Sequence, residues 1–402
     1  MNKRTQTAAV TGMGAVCSLG MNLKTSIENL FSAPVAPAPP TAFSTNHPEP
    51  YPVFGLPGEL PPSVVRQGRD LSLTARMAVA VAREALGDAG LTPDMLKGKT
   101  VGVCMGTSVG ASLNNDPFYI SYRKGEAPGM DPIRRFLFSN PARAVAREFN
   151  LNGPVQTVVN ACASGADAVG IGAEWIKAGR CDIVIAGGTD ELCKVTYNGF
   201  ASLMITDPAP CKPFDVNRHG LNLGEGAAAL ILEPAMDTTA ETSPTKKKRH
   251  ARIIGYGTAC DAYHLTAPRP DARGLISALD NALAENNTDI ARIGFINAHG
   301  TGTRDNDRME MTVFKEKLSG IPFLSTKGYT GHTLGAAGAL EAVFTIVSLN
   351  RGAIPSSRGF SKPDPDFGIS PVTAPRQIDE PVAISQSVAF GGNNTVLIFS
   401  RN

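Results

Sequence analysis

Residues 158–188 read "VVNACASGADAVGIGAEWIKAGRCDIVIAGG". An apolar run leads into Asn160, Ala161 and Cys162. A helical pattern follows over 165–178, and a second apolar run, "DIVIAGGTD", over 182–190. At 100° per residue the only charges of the helical stretch, Asp167, Glu174 and Lys177, fall within roughly 80° of arc, so the rest of that helix must be covered by protein. "LGAAGALEAVFTIVSLN" (334–350) has the same character, with Glu341 as its only charge. Helices so enclosed belong in a layer between sheets; a membrane span is excluded for the second by its length and by Glu341.

Outward from this stretch, short apolar runs alternate with helical spacing, the pattern of an α/β protein with buried strands. Strands are expected at 100–108, 154–161, 182–190, 226–234, 251–257, 293–300 and 382–390, and amphipathic helices at 72–90 and 273–285. Residues 33–62 are rich in proline and read as an extended surface excursion. "TTAETSPTKKKRH" (238–250), between two strand candidates, reads as a solvated hairpin tip, with a nucleic-acid patch as the sharper alternative. "VVNACASG" (158–165) and "FINAHGTG" (295–302) echo each other, which suggests two similar halves, each delivering one reactive side chain at a strand end.

Thirty-eight Lys and Arg against 36 Asp and Glu leave a net charge of +2 in 402 residues. So weak a field argues for no nucleic-acid partner and no membrane surface. The N-terminus lacks a secretory apolar core, and a cytoplasmic location is expected. Seven scattered cysteines without a C-x-x-C pair suggest neither a disulfide framework nor a zinc site. "TGMGAVCSLG" (11–20) lacks the third glycine of a dinucleotide fingerprint, so nucleotide binding is set aside.

Cys162 stands where a helix begins, and the macrodipole and unpaired N–H groups there are expected to lower its pKa and to offer oxyanion donors. Small neighbours (Ala161, Ala163, Gly165) would leave room for an acyl group; the plain alternative is a core cysteine beside a glycine that eases helix packing. His299, in "NAHGTGTRDND", and His332, in "STKGYTGHTLGAAG", lie in glycine-rich strand-to-helix junctions. Lys327 stands five residues before His332. A helix N-terminus and an ammonium both disfavour imidazolium, so both rings are expected to be neutral N–H donors. "VAFGGNN" (388–394) offers backbone N–H groups for close approach. "FDVNRHGLNLGEGAAAL" (214–230) reads as a structural turn, and "RDND" (304–307) as the cap of a helix at 306–317.

Together these motifs, with "VTGMGAVCSLG", "CKPFDVNRHGLNLGEGAAALILE" (211–233) and "YGTACDAYHLTAP" (256–268), resemble the β-ketoacyl-[acyl-carrier-protein] synthases of the elongating Cys-His-His type over nearly the full chain. The resemblance implies a thiolase-like, five-layer αβαβα fold of two related halves, 1–248 with the nucleophile and 249–402 with both histidines. It implies that Cys162 holds the acyl chain as a thioester and that His299 and His332 support decarboxylation of a malonyl thioester. Lys327 and Glu341 would hold His332 and its network, together with Asp307; Thr301 and Thr303 would bond the pantetheine arm. Cys162 and Phe390 N–H groups would form the acyl oxyanion hole, with Phe390 and Gly391 as the gate. Val109, Phe136 and Phe138 would line the acyl pocket or the dimer contact. Arg66, Arg69, Arg134 and Arg135 would dock an acidic carrier protein.

The resemblance further implies no tightly bound cofactor and no metal, the substrates being carried on phosphopantetheine. The partners would be an acyl carrier protein and, through the strand near 182–188, a second copy or a chain-length-factor-like homologue. The usual glycine before the gate phenylalanine is Ala389 here, and the usual Thr of that motif is Asn393. "GTGTRDND" and "TKGYTGHTLGAAG" look closer to synthases of aryl polyene pathways than to housekeeping fatty-acid elongation, which is the alternative. A thiolase would carry a second catalytic cysteine, and none of Cys181, Cys193, Cys211 or Cys260 sits in a matching motif.

Overall fold

The Gly-rich opening is a strand, not a loop: β1 (Ala8–Cys17) is buried at every residue. The computed structural model describes residues 7–32, 35–61, 65, 70–110, 115–235 and 249–401. After β1 come α1 (Leu23–Ser32), α2 (Leu73–Asp88), α3 (Pro93–Leu96), β2 (Val101–Gly106), α4 (Asp116–Arg123), α5 (Asp131–Phe138), α6 (Pro141–Glu148), β3 (Val155–Val158), α7 (Ser164–Lys177), β4 (Ile183–Asp190), α8 (Lys194–Ser202) and β5 (Gly226–Pro234). A second series runs β6 (Ala251–Cys260), α9 (Arg273–Ala284), β7 (Ile293–Asn297), α10 (Arg304–Glu316), β8 (Phe323–Leu324), α11 (Lys327–Thr330), α12 (Ala337–Arg351), β9 (Ala353–Ile354), β10 (Arg376–Gln377), β11 (Val382–Ala389) and β12 (Asn393–Ser400).

Ten strands form one ladder in the order β3, β2, β4, β5, β1, β6, β12, β11, β7, β8. The same pairing pattern occurs twice. In the first half β2 is parallel to β3 and β4, while β5 is antiparallel to β4 and β1; in the second β7 is parallel to β8 and β11, while β12 is antiparallel to β11 and β6. The halves join where Ala8, Ala9 and Val10 pair with Ile253, Arg252 and Ala251. This topology corrects the echo between 158–165 and 295–302. The turn after β3, which holds Cys162, corresponds to the turn after β8, which holds His332; the counterpart of His299 lies after β2.

Helices α7 and α12 pack on each other and on strands of both halves, so they form the middle layer, with α2 and α6 outside one half and α9 and α10 outside the other. That is the five-layer, thiolase-like arrangement. Small residues make its close contacts possible: a Cβ on Gly12 or Gly14 of β1 would meet Ala85 O at 2.2 Å or Val81 O at 2.3 Å on α2. Ser72 caps α2 by accepting from Ala75 N–H, a contact that stabilises by about 1 kcal/mol. The charged arc of α7 is not wholly wet. Asp167 is buried and accepts from Thr395 Oγ1 at 2.6 Å and Tyr256 Oη at 3.1 Å, tying α7 to the second half.

Two expectations about edges fail. β4 is bonded on one side to β2 and on the other to β5, so residues 182–188 offer no free edge to a second chain. The edge strand is β3, which among the described residues pairs only with β2. Nor does 238–250 cap a hairpin, because β1 lies between β5 and β6; residues 236–248 lie outside the described residues. The proline-rich stretch is docked instead of loose: Val53 and Phe54 are buried, Phe54 N–H bonds Leu223 O, and Phe43, His47 and Tyr51 surround Tyr197 of α8. No helix among the described residues is long and apolar enough to cross a membrane.

Candidate active site

Cys162 lies in the turn from β3 to α7. Ala161, with φ +45°, takes the left-handed conformation that a non-glycine residue adopts only when its surroundings hold it. They do: the Ala161 carbonyl accepts from Ser108 Oγ at 2.9 Å and Ser164 Oγ at 2.6 Å. The sulfur is buried, with His332 Nε2 at 3.0 Å. Burial pushes the thiol up to about 12, while Lys327 and the Phe390 N–H pull the other way. The expectation of a thiolate made by the helix start is therefore corrected. Cys162 precedes α7 by two residues, and burial is the largest influence on its pKa, which favours the protonated thiol. Its sulfur faces His332 Nε2.

His332 is held by its backbone: its N–H bonds Asn222 O at 2.8 Å, and its carbonyl accepts from Gly224 N–H at 3.0 Å. The 214–230 segment thus clamps a reactive residue, a role the sequence did not reveal. His299 follows β7, and its ring centroid lies 5.2 Å from that of His332, edge to face. Glu310, on α10, accepts from the N–H groups of His299 and Gly300, each at 2.7 Å, and from Gln386 Nε2 at 2.6 Å. Asp307 accepts from Phe214 and Gly302 N–H, which fixes the turn that carries Thr301 and Thr303; burial raises its pKa to about 7.

Lys327 serves His299, not His332. Its ammonium donates to His299 Nδ1 at 3.1 Å and His299 O at 2.6 Å, and it pairs with the buried Glu341. Five residues in sequence had suggested the nearer histidine, but α11 turns the lysine toward β7. Burial raises Glu341 to about 7 against the pull of Lys327. Both histidines are held well below the ordinary value, chiefly by burial and then by Lys327, with His332 adding to the effect on His299. Neutral imidazoles follow. Since Nδ1 of His299 accepts from the lysine, its proton is on Nε2. His332 Nδ1 has no hydrogen-bond partner among the described residues, so its proton is fixed on neither nitrogen.

These groups open into a cavity of about 520 Å3 lined by Cys162, His299, His332, Thr301, Thr303 and Phe390 among others. Thr301 and Thr303 hydroxyls bond each other at 2.8 Å on its wall. Phe390 stacks on Phe200 at 5.5 Å between centroids, and Phe200 also meets the His332 ring edge at 6.5 Å. Nothing in the sequence singled out Phe200. Ala389 is extended, φ −130° and ψ 154°, a conformation any residue adopts; positive φ falls on Gly391 and Gly392, so the turn does not need a glycine at 389.

Other candidates lie elsewhere. Val109 sits beside Asp190, and Phe136 and Phe138 project from α5, none of whose residues is buried, so none of the three lines the cavity. Phe136, Leu137 and Phe138 are exposed on this helix, with the Arg147 guanidinium 5.5 Å from the Phe138 ring centroid. Arg134 and Arg135 are exposed and paired with Asp131 and Asp70. Arg66 and Arg69 lie outside the described residues. Gly165 is needed for packing, since a Cβ there would meet Gly335 O at 2.7 Å, whereas Ala161 and Ala163 cluster with Cys162 and Ala389.

The chain matches the models for the Beta-ketoacyl synthase N-terminal domain over residues 6–238 and the C-terminal domain over 250–361. It is 33% identical over 359 residues, 84% of this chain and 83% of the relative, to the tetracenomycin polyketide synthase ketoacyl synthase alpha subunit of Streptomyces glaucescens. It is 32% identical to 3-oxoacyl-[acyl-carrier-protein] synthase 2 of a Synechocystis strain, covering 100% of this chain and 99% of the relative. The solved ishigamide ketosynthase/chain length factor superposes with a TM-score of 0.92 at 31% identity, covering 99% of this chain and 100% of that one.

Proposed function

The chain belongs to the β-ketoacyl synthase family, an acyltransferase family of condensing enzymes, and on that premise we propose the following course for its reaction. An acyl group arrives as a thioester on a carrier's phosphopantetheine. The Cys162 sulfur attacks its carbonyl, passing the S–H proton to His332 Nε2, and the carrier's sulfur leaves with that proton, returned from His332. The neutral ring then moves its remaining proton from the unpartnered Nδ1 to Nε2 through solvent. A malonyl thioester enters along Thr301 and Thr303. Its carbon–carboxylate bond breaks, CO2 leaves, and the electron pair forms an enolate whose oxygen accepts from Nε2–H of His299 and of His332. The enolate carbon attacks the acyl carbonyl while the Cys162 and Phe390 N–H groups hold the oxyanion. The C–S bond breaks, and the sulfur recovers a proton through His332.

Neutral donors suit this step, because an imidazolium would protonate the enolate before it reached the acyl group. The observation that carries the reading is the contact of the Cys162 thiol with His332 at 3.0 Å, beside a His299 whose tautomer Lys327 fixes. A reducing compartment such as the cytoplasm is the location we infer, since the reaction needs Cys162 as a free thiol.

The pathway we infer is polyketide-type elongation, aryl polyene or related, supported by the Streptomyces alpha subunit and the ishigamide ketosynthase as relatives. Fatty-acid elongation is the second reading, favoured by the whole-length Synechocystis relative. A second chain, identical or a chain-length-factor-like homologue, fits the β3 edge, where Val155 and Val159 are exposed, as are Phe136, Leu137 and Phe138 of α5. The carrier would dock at the cavity mouth, which Leu203 and Met204 line. Intact-mass measurement after incubation with saturated and polyenoyl carriers tests the assignment. An adduct on wild type that disappears in Cys162→Ala is expected, preferentially from polyenoyl chains. No adduct from any acyl carrier would overturn the reading.

A further inference from the structure

Asp190 ends β4, has no exposed surface, and forms no ion pair among the described residues. A carboxylate buried without a cation must be held by donors, and here it has them on both oxygens. Oδ1 accepts from Thr107 Oγ1 at 2.6 Å and from Val109 N–H at 3.5 Å; Oδ2 accepts from Ser108 N–H and from Gly335 N–H, both at 2.7 Å. Ser108 in turn donates its hydroxyl to the Ala161 carbonyl, the residue before Cys162, whereas Gly335 lies three residues after His332 in the short 3-10 turn Leu334–Ala336 that leads into α12.

The contact is close-fitting as well as polar. A Cβ on Gly335 would stand 2.4 Å from Ser108 N, and one on Gly188, two residues before Asp190, would stand 2.5 Å from Gly335 O. One carboxylate oxygen thus binds Ser108, whose hydroxyl holds the strained turn under the sulfur, and Gly335, in the segment that follows His332. None of its partners touches the reacting atoms.

We infer that Asp190 is a positioning residue that sets the distance between Cys162 and His332, acting through Ser108 on one side and Gly335 on the other. The inference rests on the reading that His332 accepts the Cys162 proton. Asp190→Ala removes the acceptor that the Ser108 and Gly335 N–H groups share, so the two segments lose their common anchor; it also removes a charge that raises the Cys162 pKa, which alone would speed attack by the sulfur, so a slower reaction reports lost positioning.

The test is the rate at which Cys162 is alkylated by iodoacetamide, a reaction that needs no carrier: the S–C bond forms, iodide leaves, and the proton goes to His332. Asp190→Ala is expected to slow it about 10²-fold, the effect of a misplacement near 1 Å. In a His332→Ala background the same change should have no further effect, because the two residues act through one contact. Ser108→Ala, which keeps the carboxylate and cuts only the link to Ala161, should lose part of the rate and serves if Asp190→Ala does not fold. Wild-type alkylation in Asp190→Ala, or in Ser108→Ala where that variant stands in, overturns the inference. So does an Asp190→Ala effect that multiplies with that of His332→Ala. An unliganded assay keeps this outcome separate from failure of the condensation itself.

Discussion

With its ammonium on Nδ1 of His299 at 3.1 Å, Lys327 leaves that ring a single neutral tautomer, the one with a proton aimed away from the lysine. Burial is the larger reason the ring stays neutral, since it disfavours imidazolium whatever the neighbour. Nitrogen-15 spectra of the histidine rings should therefore show His299 neutral with its proton on Nε2 at pH 6, below the ordinary histidine value of 6.5. A charged ring at that pH would contradict the account. Lys327→Met should remove the tautomer preference and slow condensation by at least about 10²-fold while Cys162 still accepts an acyl group. Glu341 tolerates the loss of its partner by taking a proton, as its value near 7 already allows. Cys162, His299 and His332 were legible in the sequence because each stands in a glycine-rich turn at a strand end. The partner of Lys327 was not, because α11 turns the side chain away from the histidine nearest in sequence.

At the scale of elements, the site is made by two buried helices whose starting turns cross. Cys162 stands before α7 and His332 before α12, at matching points of the repeated β-strand order. Gly165→Ala would press a methyl against Gly335 O, now 2.7 Å from the Cβ position, and should destabilise the protein by about 3 kcal/mol in denaturant titrations. Gly87→Ala, in α2 with nothing within 4 Å, should instead stabilise it by about 0.5 kcal/mol. Equal effects of the two changes would mean that the crossing is not tight. The enclosed character of both helices was visible in their lack of charge. Asp167 and Asp190 were not recognisable as buried, because a single acid at the edge of an apolar run looks like a solvent-facing residue until its donors are in place. Phe136 and Phe138, which the resemblance assigned to the acyl pocket or the dimer contact, do not line the cavity and stand exposed on α5.

For the whole molecule, the β3 edge, with Val159 at 67% exposure, and the α5 residue Leu137, at 66%, are where we propose that a second chain binds. Leu137→Glu should shift the protein toward monomer in size-exclusion light scattering, and an unchanged assembly would place the interface elsewhere. That edge could not be read from residues alone. β3 (VQTV) is shorter and more polar than β4 (IVIAGGTD), but only the strand order shows which of them is interior. The central claim is that a thiol and two uncharged imidazoles, delivered by opposite halves, act on one substrate in successive steps. Its most direct test is a single turnover of the His299→Ala enzyme loaded with an acyl chain, given malonyl-carrier, with CO2 and product followed together. The account predicts that the acyl group stays on Cys162 while CO2 release and carbon–carbon bond formation fall by about 10²- to 10³-fold. Product forming at the wild-type rate would contradict it.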